Sequence, residues 1–197
     1  MSFLGIRRPT LLWATKIFHI SIYCIGKLLF FRARIEVRGM EHIRRFSGNA
    51  LFASNHASEL DTVVFCLALD KAHGLFWRLP LVVLSREKEF YSDMGFIKAL
   101  LYGGFLFRLL GAYPVTPQKE RLTARLRQNT IATHISFLED GYSVLIYPEG
   151  TRTQTGELLL PKSGVAILSE QANCPIVPIA INGTFGLSFA DFLSGRK

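Results

Sequence analysis

The sequence predicts an α/β fold, with a mostly parallel central sheet flanked by helices. Three observations point to it. Short apolar runs recur along the chain and end abruptly. Stretches with helical spacing of apolar residues separate them. Two polar interruptions, NHASELD and PEGTRT, each begin where an apolar run stops. In α/β sheets that position is the carboxyl end of a strand, where ligands bind. The 197 residues suit one domain with a small appendage. The expected division is a basic, apolar helical segment over 1–33 and an α/β domain over 34–197.

The elements follow in order. ARIEVRGME alternates and ends at a glycine, which predicts an edge strand and a turn. ALFAS, residues 50–54, predicts a short buried strand. The pattern after Asp61 predicts a helix to about Leu69, and LPLVVLS, residues 79–85, a strand. Residues 93–110 place Met94, Ile97, Leu101, Phe105, Leu106 and Leu109 at helical spacing, bent or broken at Gly103-Gly104. AYPV is a short strand. Residues 119–139 form a longer helix with Leu122, Leu126, Ile131, Ile135 and Leu138 inward. SVLIYP is a buried strand, KSGVAILSEQ a helix and PIVPIAIN a last strand. Near-continuous apolar strands of this kind fit a parallel sheet covered on both faces.

The first segment, RRPTLLWATKIFHISIYCIGKLLFFRAR, is nearly long enough to span a bilayer. Lys16, His19, Tyr23 and Lys27 interrupt it and fall on one helical face. That pattern fits a helix lying in a membrane interface, apolar side down, with Lys16 and Lys27 toward the headgroups. A lysine-tolerant span and a helix packed on the domain are the other readings. Arg7, Arg8, Arg32 and Arg34 flank it, and no acid precedes Glu36. Anionic lipid attracts such a segment by roughly 1 kcal/mol per basic residue near the surface. There is no small-residue cleavage site of the signal-peptide kind.

Hydrophobic residues make up 49% of the chain and the formal net charge is +8. A basic surface favours anionic membranes, anionic small molecules or nucleic acid. Against nucleic acid, the charges are spread through the chain and no recognition module occurs. Cys24, Cys66 and Cys174 have neither zinc nor disulfide spacing and are expected to be buried thiols in a reducing compartment. The five histidines form no metal-binding pattern, so no metal is expected.

His56 follows the 50–54 run directly. Ser58 can cap the next helix, with Asp61 in the place of a capping-box acid. Positions five apart in a continuous helix are about 140° out of phase. A His56–Asp61 hydrogen bond therefore requires His56 on the turn and Asp61 in the first helical turn, pointing back. A histidine held by a carboxylate is a good general base near neutral pH. A plain strand-to-helix turn explains Ser58 but not His56. In the second interruption, Gly150 frees the backbone, Thr151 can donate to an anion, and Arg152 can grip a phosphate through two bonds. A solvated polar loop is the alternative.

The two segments together resemble a known family. Asn55-His56-Ala57-Ser58-Glu59-Leu60-Asp61 matches the NHxSxxD form of the NHxxxxD motif, and Pro148-Glu149-Gly150-Thr151-Arg152 matches the EGTR motif, of the glycerolipid acyltransferases related to 1-acyl-sn-glycerol-3-phosphate acyltransferase. Lys162-Ser163-Gly164 and Val177-Pro178-Ile179 resemble later blocks, in the family order. The resemblance implies acyl transfer from coenzyme A or acyl carrier protein to a glycerolipid hydroxyl, at the cytoplasmic face of a membrane, with no bound cofactor. It implies His56 as base, Asp61 as its orienting partner, and Glu149, Gly150, Thr151 and Arg152 at the acceptor phosphate, with Lys88 a weaker candidate there. Asn55, Ser58, Lys162, Gly164 and Pro178 complete the motif positions. One departure stands out: Thr116 occupies the place where the family has an arginine proposed to contact that phosphate. Lys119 or Arg121 can substitute, or the acceptor differs. Family members also continue further after the last strand, so a short C-terminus is expected.

Overall fold

The computed structural model describes residues 34–44, 49–73, 81–86, 111–115 and 124–188, together with helical positions between Trp13 and Leu28. The strands are β1 (Leu51–Ser54), β2 (Val82–Arg86), β3 (Ala112–Val115), β4 (Val144–Ile146) and β5 (Ile176–Ile179). The helices with described bounds are α1 (Met40–Arg44), α2 (Asp61–His73), α3 (Ala124–Glu139) and α4 (Gly164–Gln171). The strands form one five-stranded sheet in the order β3-β2-β4-β1-β5, and every pairing is parallel.

Strand alternation explains how the sheet is covered. Leu51, Val82, Val144 and Ile146 face Phe137 and Leu138 of α3 and Leu168 of α4. Phe52, Val83 and Leu145 face the other way, onto Phe65, Leu67 and Leu69 of α2. Successive side chains thus enter two separate cores, and the strands read as unbroken apolar runs. Both edge strands carry a proline, Pro114 in β3 and Pro178 in β5. A missing amide is tolerated at an edge and discourages pairing with another chain.

Three expectations need correction. Residues 34–39 alternate in burial but take no strand pairing, and Met40–Arg44 is helical. Alternation requires only an extended chain with one side covered, which Ile35 supplies by packing on the core. The helix after Asp61 runs on to His73. Cys24 is exposed, whereas Cys174 is buried and burial pushes the Cys66 thiol up to about 12. The expected helix over 93–110 and the start of that over 119–139 lie outside the described residues.

In the N-terminal helical segment, three residues of the expected stripe, His19, Tyr23 and Lys27, meet the domain. Tyr23 is buried in the α2-side core and Ile20 packs beside it. Lys27 Nζ lies 3.1 Å from Asp70 of α2. The Tyr23 hydroxyl and the Asp70 carboxylate together hold the Lys27 ammonium up at about 12. His19 lies against Gly111, where a Cβ would sit 2.9 Å from its Cε1. Trp13, Ile17 and Leu28 face outward at 65%, 63% and 72% exposure. Lys27 thus reaches the domain through Asp70, whereas Lys16 lies 5.3 Å from the ring centroid of the outward-facing Trp13. An ion pair and a buried tyrosine offset the cost of turning a mixed stripe inward. No helix among the described residues is long and apolar enough to cross a membrane.

Candidate active site

β1 and β4 are neighbours in the sheet, so the segments that leave their carboxyl ends meet. Adjacency in the parallel ladder therefore brings NHASELD and PEGTRT together. Asn55 fixes the first segment: its Nδ2 donates to Ile181 O at 2.9 Å and its Oδ1 accepts from Ile181 N at 2.7 Å. This side-chain pair ties the end of β1 to the chain leaving β5.

His56 sits on the turn and Asp61 begins α2, as the spacing requires. His56 Nδ1 lies 2.9 Å from Asp61 Oδ2. The same oxygen accepts from Ala57 N at 2.7 Å and Ser58 N at 2.8 Å. The bond from Ser58 N is the carboxylate half of a capping box. Ser58 Oγ accepts from Leu60 N at 3.1 Å and donates to Leu187 O at 2.6 Å. Asp61 is fully enclosed. Burial acts to raise its carboxyl, but hydrogen bonds from His56 and the Ser58 and Ala57 amides outweigh it and hold it below the usual carboxylate range. An ionised Asp61 keeps the proton of neutral His56 on Nδ1 and leaves the lone pair on Nε2.

The second segment grips the peptide of His56 from both sides. Glu149 is buried; its Oε1 accepts from His56 N at 2.8 Å and its Oε2 from Leu159 N at 2.9 Å. Thr153 N donates to His56 O at 2.9 Å. Each Glu149 oxygen thus accepts from a backbone amide, so the carboxylate ties the His56 turn to the chain at Leu159. An acid is also the wrong charge for a phosphate. Gly150 has φ +70, and a Cβ there would lie 2.6 Å from Lys162 Nζ. The left-handed turn favours glycine, and the end of the exposed Lys162 side chain lies over it.

Arg152 is half-exposed, and its Nη1 lies 3.7 Å from Glu59 Oε2. It lines an open cleft of about 360 Å³ together with Ala57, Ser58, Thr153, Phe185 and Leu187. Thr151 is half-buried in the same loop. Lys162 is exposed beside Gly150, and its amide donates to Pro148 O at 2.9 Å. Gly164 begins α4, and Pro178 pairs with Ala53 in the ladder, so these two motif positions are architectural. Lys88, Thr116, Lys119 and Arg121 lie outside the described residues.

Sequence reasoning missed Tyr147. Its ring stacks on His56 with centroids 4.0 Å apart and planes at 17°. Its hydroxyl pairs with Thr62 Oγ1 at 2.8 Å, and burial raises its pKa. The available signal was an aromatic residue at the end of the β4 run, just before Pro148. Leu187, from beyond β5, carried no such signal.

Comparisons with known proteins agree on the chain's relatives. A family model described as Acyltransferase matches residues 34–182. The 1-acyl-sn-glycerol-3-phosphate acyltransferase of Limnanthes alba is 29% identical over 153 residues, covering 76% of this chain and 46% of that protein. The human 1-acyl-sn-glycerol-3-phosphate acyltransferase beta is 29% identical over 171 residues, covering 85% and 51%. The chain spans about half the length of the curated relatives it matches. The crystal structure of the 1-acyl-sn-glycerophosphate acyltransferase from Thermotoga maritima aligns with a TM-score of 0.45 and 18% identity, covering 92% of this chain and 78% of that one. With the family model matching most of its length, this chain belongs to the acyltransferase family.

Proposed function

We propose that this chain transfers a fatty acyl group from acyl-CoA or acyl carrier protein to the free hydroxyl of 1-acyl-sn-glycerol 3-phosphate, giving phosphatidic acid. The observation that carries the reading is the His56–Asp61 pair, with His56 clasped by the loop that presents Arg152. His56 Nε2 takes the proton of the acceptor hydroxyl as its oxygen attacks the thioester carbonyl. The tetrahedral intermediate collapses, the C–S bond breaks, and the imidazolium returns the proton to the departing thiolate. Asp61 stabilises the imidazolium throughout. No covalent acyl-enzyme is needed. Tyr147 holds the plane of the ring. Arg152, with Thr151 and the Gly150 amide, receives the acceptor phosphate, and Glu59 is the anion that the phosphate displaces. Lys162 adds a second cation beside the loop.

Relatives named as 1-acyl-sn-glycerol-3-phosphate acyltransferases support this acceptor. Thr116, in place of the family's arginine, favours a second reading in which the acceptor is another lysophospholipid or glycerol 3-phosphate. The enzyme works at the cytoplasmic surface of an anionic membrane, with Trp13, Ile17 and Leu28 as apolar contacts. The test is acyl transfer by purified protein across a panel of acceptors with both donor types. Phosphatidic acid as the preferred product supports the first reading. Preference for another acceptor selects the second, and no acyl transfer to any acceptor refutes both.

A further inference from the structure

Three consecutive leucines stand out of the surface beside the site. Leu158, Leu159 and Leu160 are 78%, 37% and 91% exposed. Free apolar side chains in a row normally turn inward, and these are prevented from doing so by the backbone. Leu159 N donates to Glu149 Oε2, Gly156 N to Thr153 Oγ1 at 3.1 Å, and Lys162 N to Pro148 O. The loop is thus held at both ends and in its middle. Phe185, itself 48% exposed, lies over Gly156, where a Cβ would come within 3.2 Å of its ring. The segment 151–162 carries two exposed cations, Arg152 and Lys162, and one exposed acid, Glu157.

The placement separates this surface from the N-terminal helix. His19 touches Gly111, and Leu81 O lies at the same point; these residues precede β3 and β2 and so mark the amino ends of the strands. The leucine loop follows β4 and lies at the carboxyl ends, with His56. The leucine loop is thus at the opposite end of the strands from the His19 contact.

We propose that the loop 156–160, with Phe185, is a second lipid-contacting surface, which seats the carboxyl end of the sheet on an anionic membrane. The proposal rests on the acyltransferase reading above, because that reading requires the site to meet an acceptor whose acyl chain lies in a membrane. Leucines enter the acyl boundary while Lys162, exposed two residues beyond them, meets a headgroup phosphate. Glu149 then joins the two functions, since one carboxylate holds both the Leu159 amide and the His56 amide.

The test labels the loop directly. An environment-sensitive fluorophore is placed at Leu160→Cys in a Cys24→Ser background, with Glu170→Cys on α4 as the control. Vesicles of phosphatidylcholine and phosphatidylglycerol should shift emission to the blue at 160 and not at 170, and nitroxide lipids should quench it. Leu158→Ser with Leu160→Ser should lower transfer to vesicle-embedded acceptor by about tenfold, with a water-soluble short-chain acceptor unaffected. Aqueous emission at 160 while the protein is bound to vesicles would overturn the proposal. So would a blue shift that depends on protein concentration without lipid, which would assign the leucines to a second copy. The fluorescence reads the surface even if no acceptor is acylated, so failure of the enzyme assignment is separately visible.

Discussion

Asp61 Oδ2 accepts three hydrogen bonds, from His56 Nδ1 and the amides of Ala57 and Ser58. The geometry is that of a carboxylate that both orients a histidine and caps a helix. Its lowered pKa has a consequence for stability. A group whose folded value lies below its unfolded value, about 3.9 for aspartate, contributes fully above that unfolded value. The contribution is lost as pH falls through the lower folded value. Acid titration of the melting temperature should therefore show a loss of stability below about pH 4 that is smaller in Asp61→Asn. If the two proteins lose stability in parallel, Asp61 is not the group responsible. Arg152 is the second residue at issue. Arg152→Ala should raise the acceptor KM at least about tenfold, since a charge-assisted bond contributes about 1.5–3 kcal/mol. Lysine should restore little, because it lacks the planar fork. Acceptor-dependent kinetics check this, and an unchanged KM would assign Arg152 to its pair with Glu59 alone.

At the level of elements, Glu149 links two loops. Glu149→Gln keeps the volume but turns an amide NH₂ toward one of two backbone donors. The expected cost is about 1–3 kcal/mol, with kcat reduced more than acceptor KM. Thermal unfolding and steady-state kinetics would show it; a variant equal to wild type in both would make the clasp incidental. The role of Glu149 was not legible in the sequence, because its partners are main-chain amides that any residue supplies. His56 and Asp61 were legible through the resemblance of their segment to NHxxxxD, and a bond between residues five apart there requires a turn followed by a helix start. Strands β1, β3, β4 and β5 were legible as apolar runs bounded by breakers. Residues 34–39 misled because alternation reports one-sided burial and not a hydrogen-bonded neighbour. Tyr147 was hidden within its own strand run, where an aromatic residue reads as core.

Over the whole molecule, the order β3-β2-β4-β1-β5 places the two hallmark loops on neighbouring strands, and two separate cores hold those strands in place. Tyr23 and Lys27 of the N-terminal helix turn onto this body, and Trp13, Ile17 and Leu28 face outward. Ile17→Ser with Leu28→Ser should weaken binding to anionic vesicles while stability stays within about 0.5 kcal/mol, as for other exposed positions. Tyr23→Ala should instead destabilise the fold, because it opens the core beside α2. Equal vesicle binding by the first variant would remove the helix from the membrane contact. The central claim is that His56, held by Asp61, is the base of an acyl transfer. It is tested most directly by comparing wild type and His56→Ala in single-turnover transfer from acyl-CoA to 1-acyl-sn-glycerol 3-phosphate. Circular dichroism and vesicle binding serve to show that both proteins are folded. The account predicts a rate lower by roughly 10²–10⁴-fold in the variant, with its fold and vesicle binding retained. A folded His56→Ala protein that transfers acyl groups at the wild-type rate would contradict it.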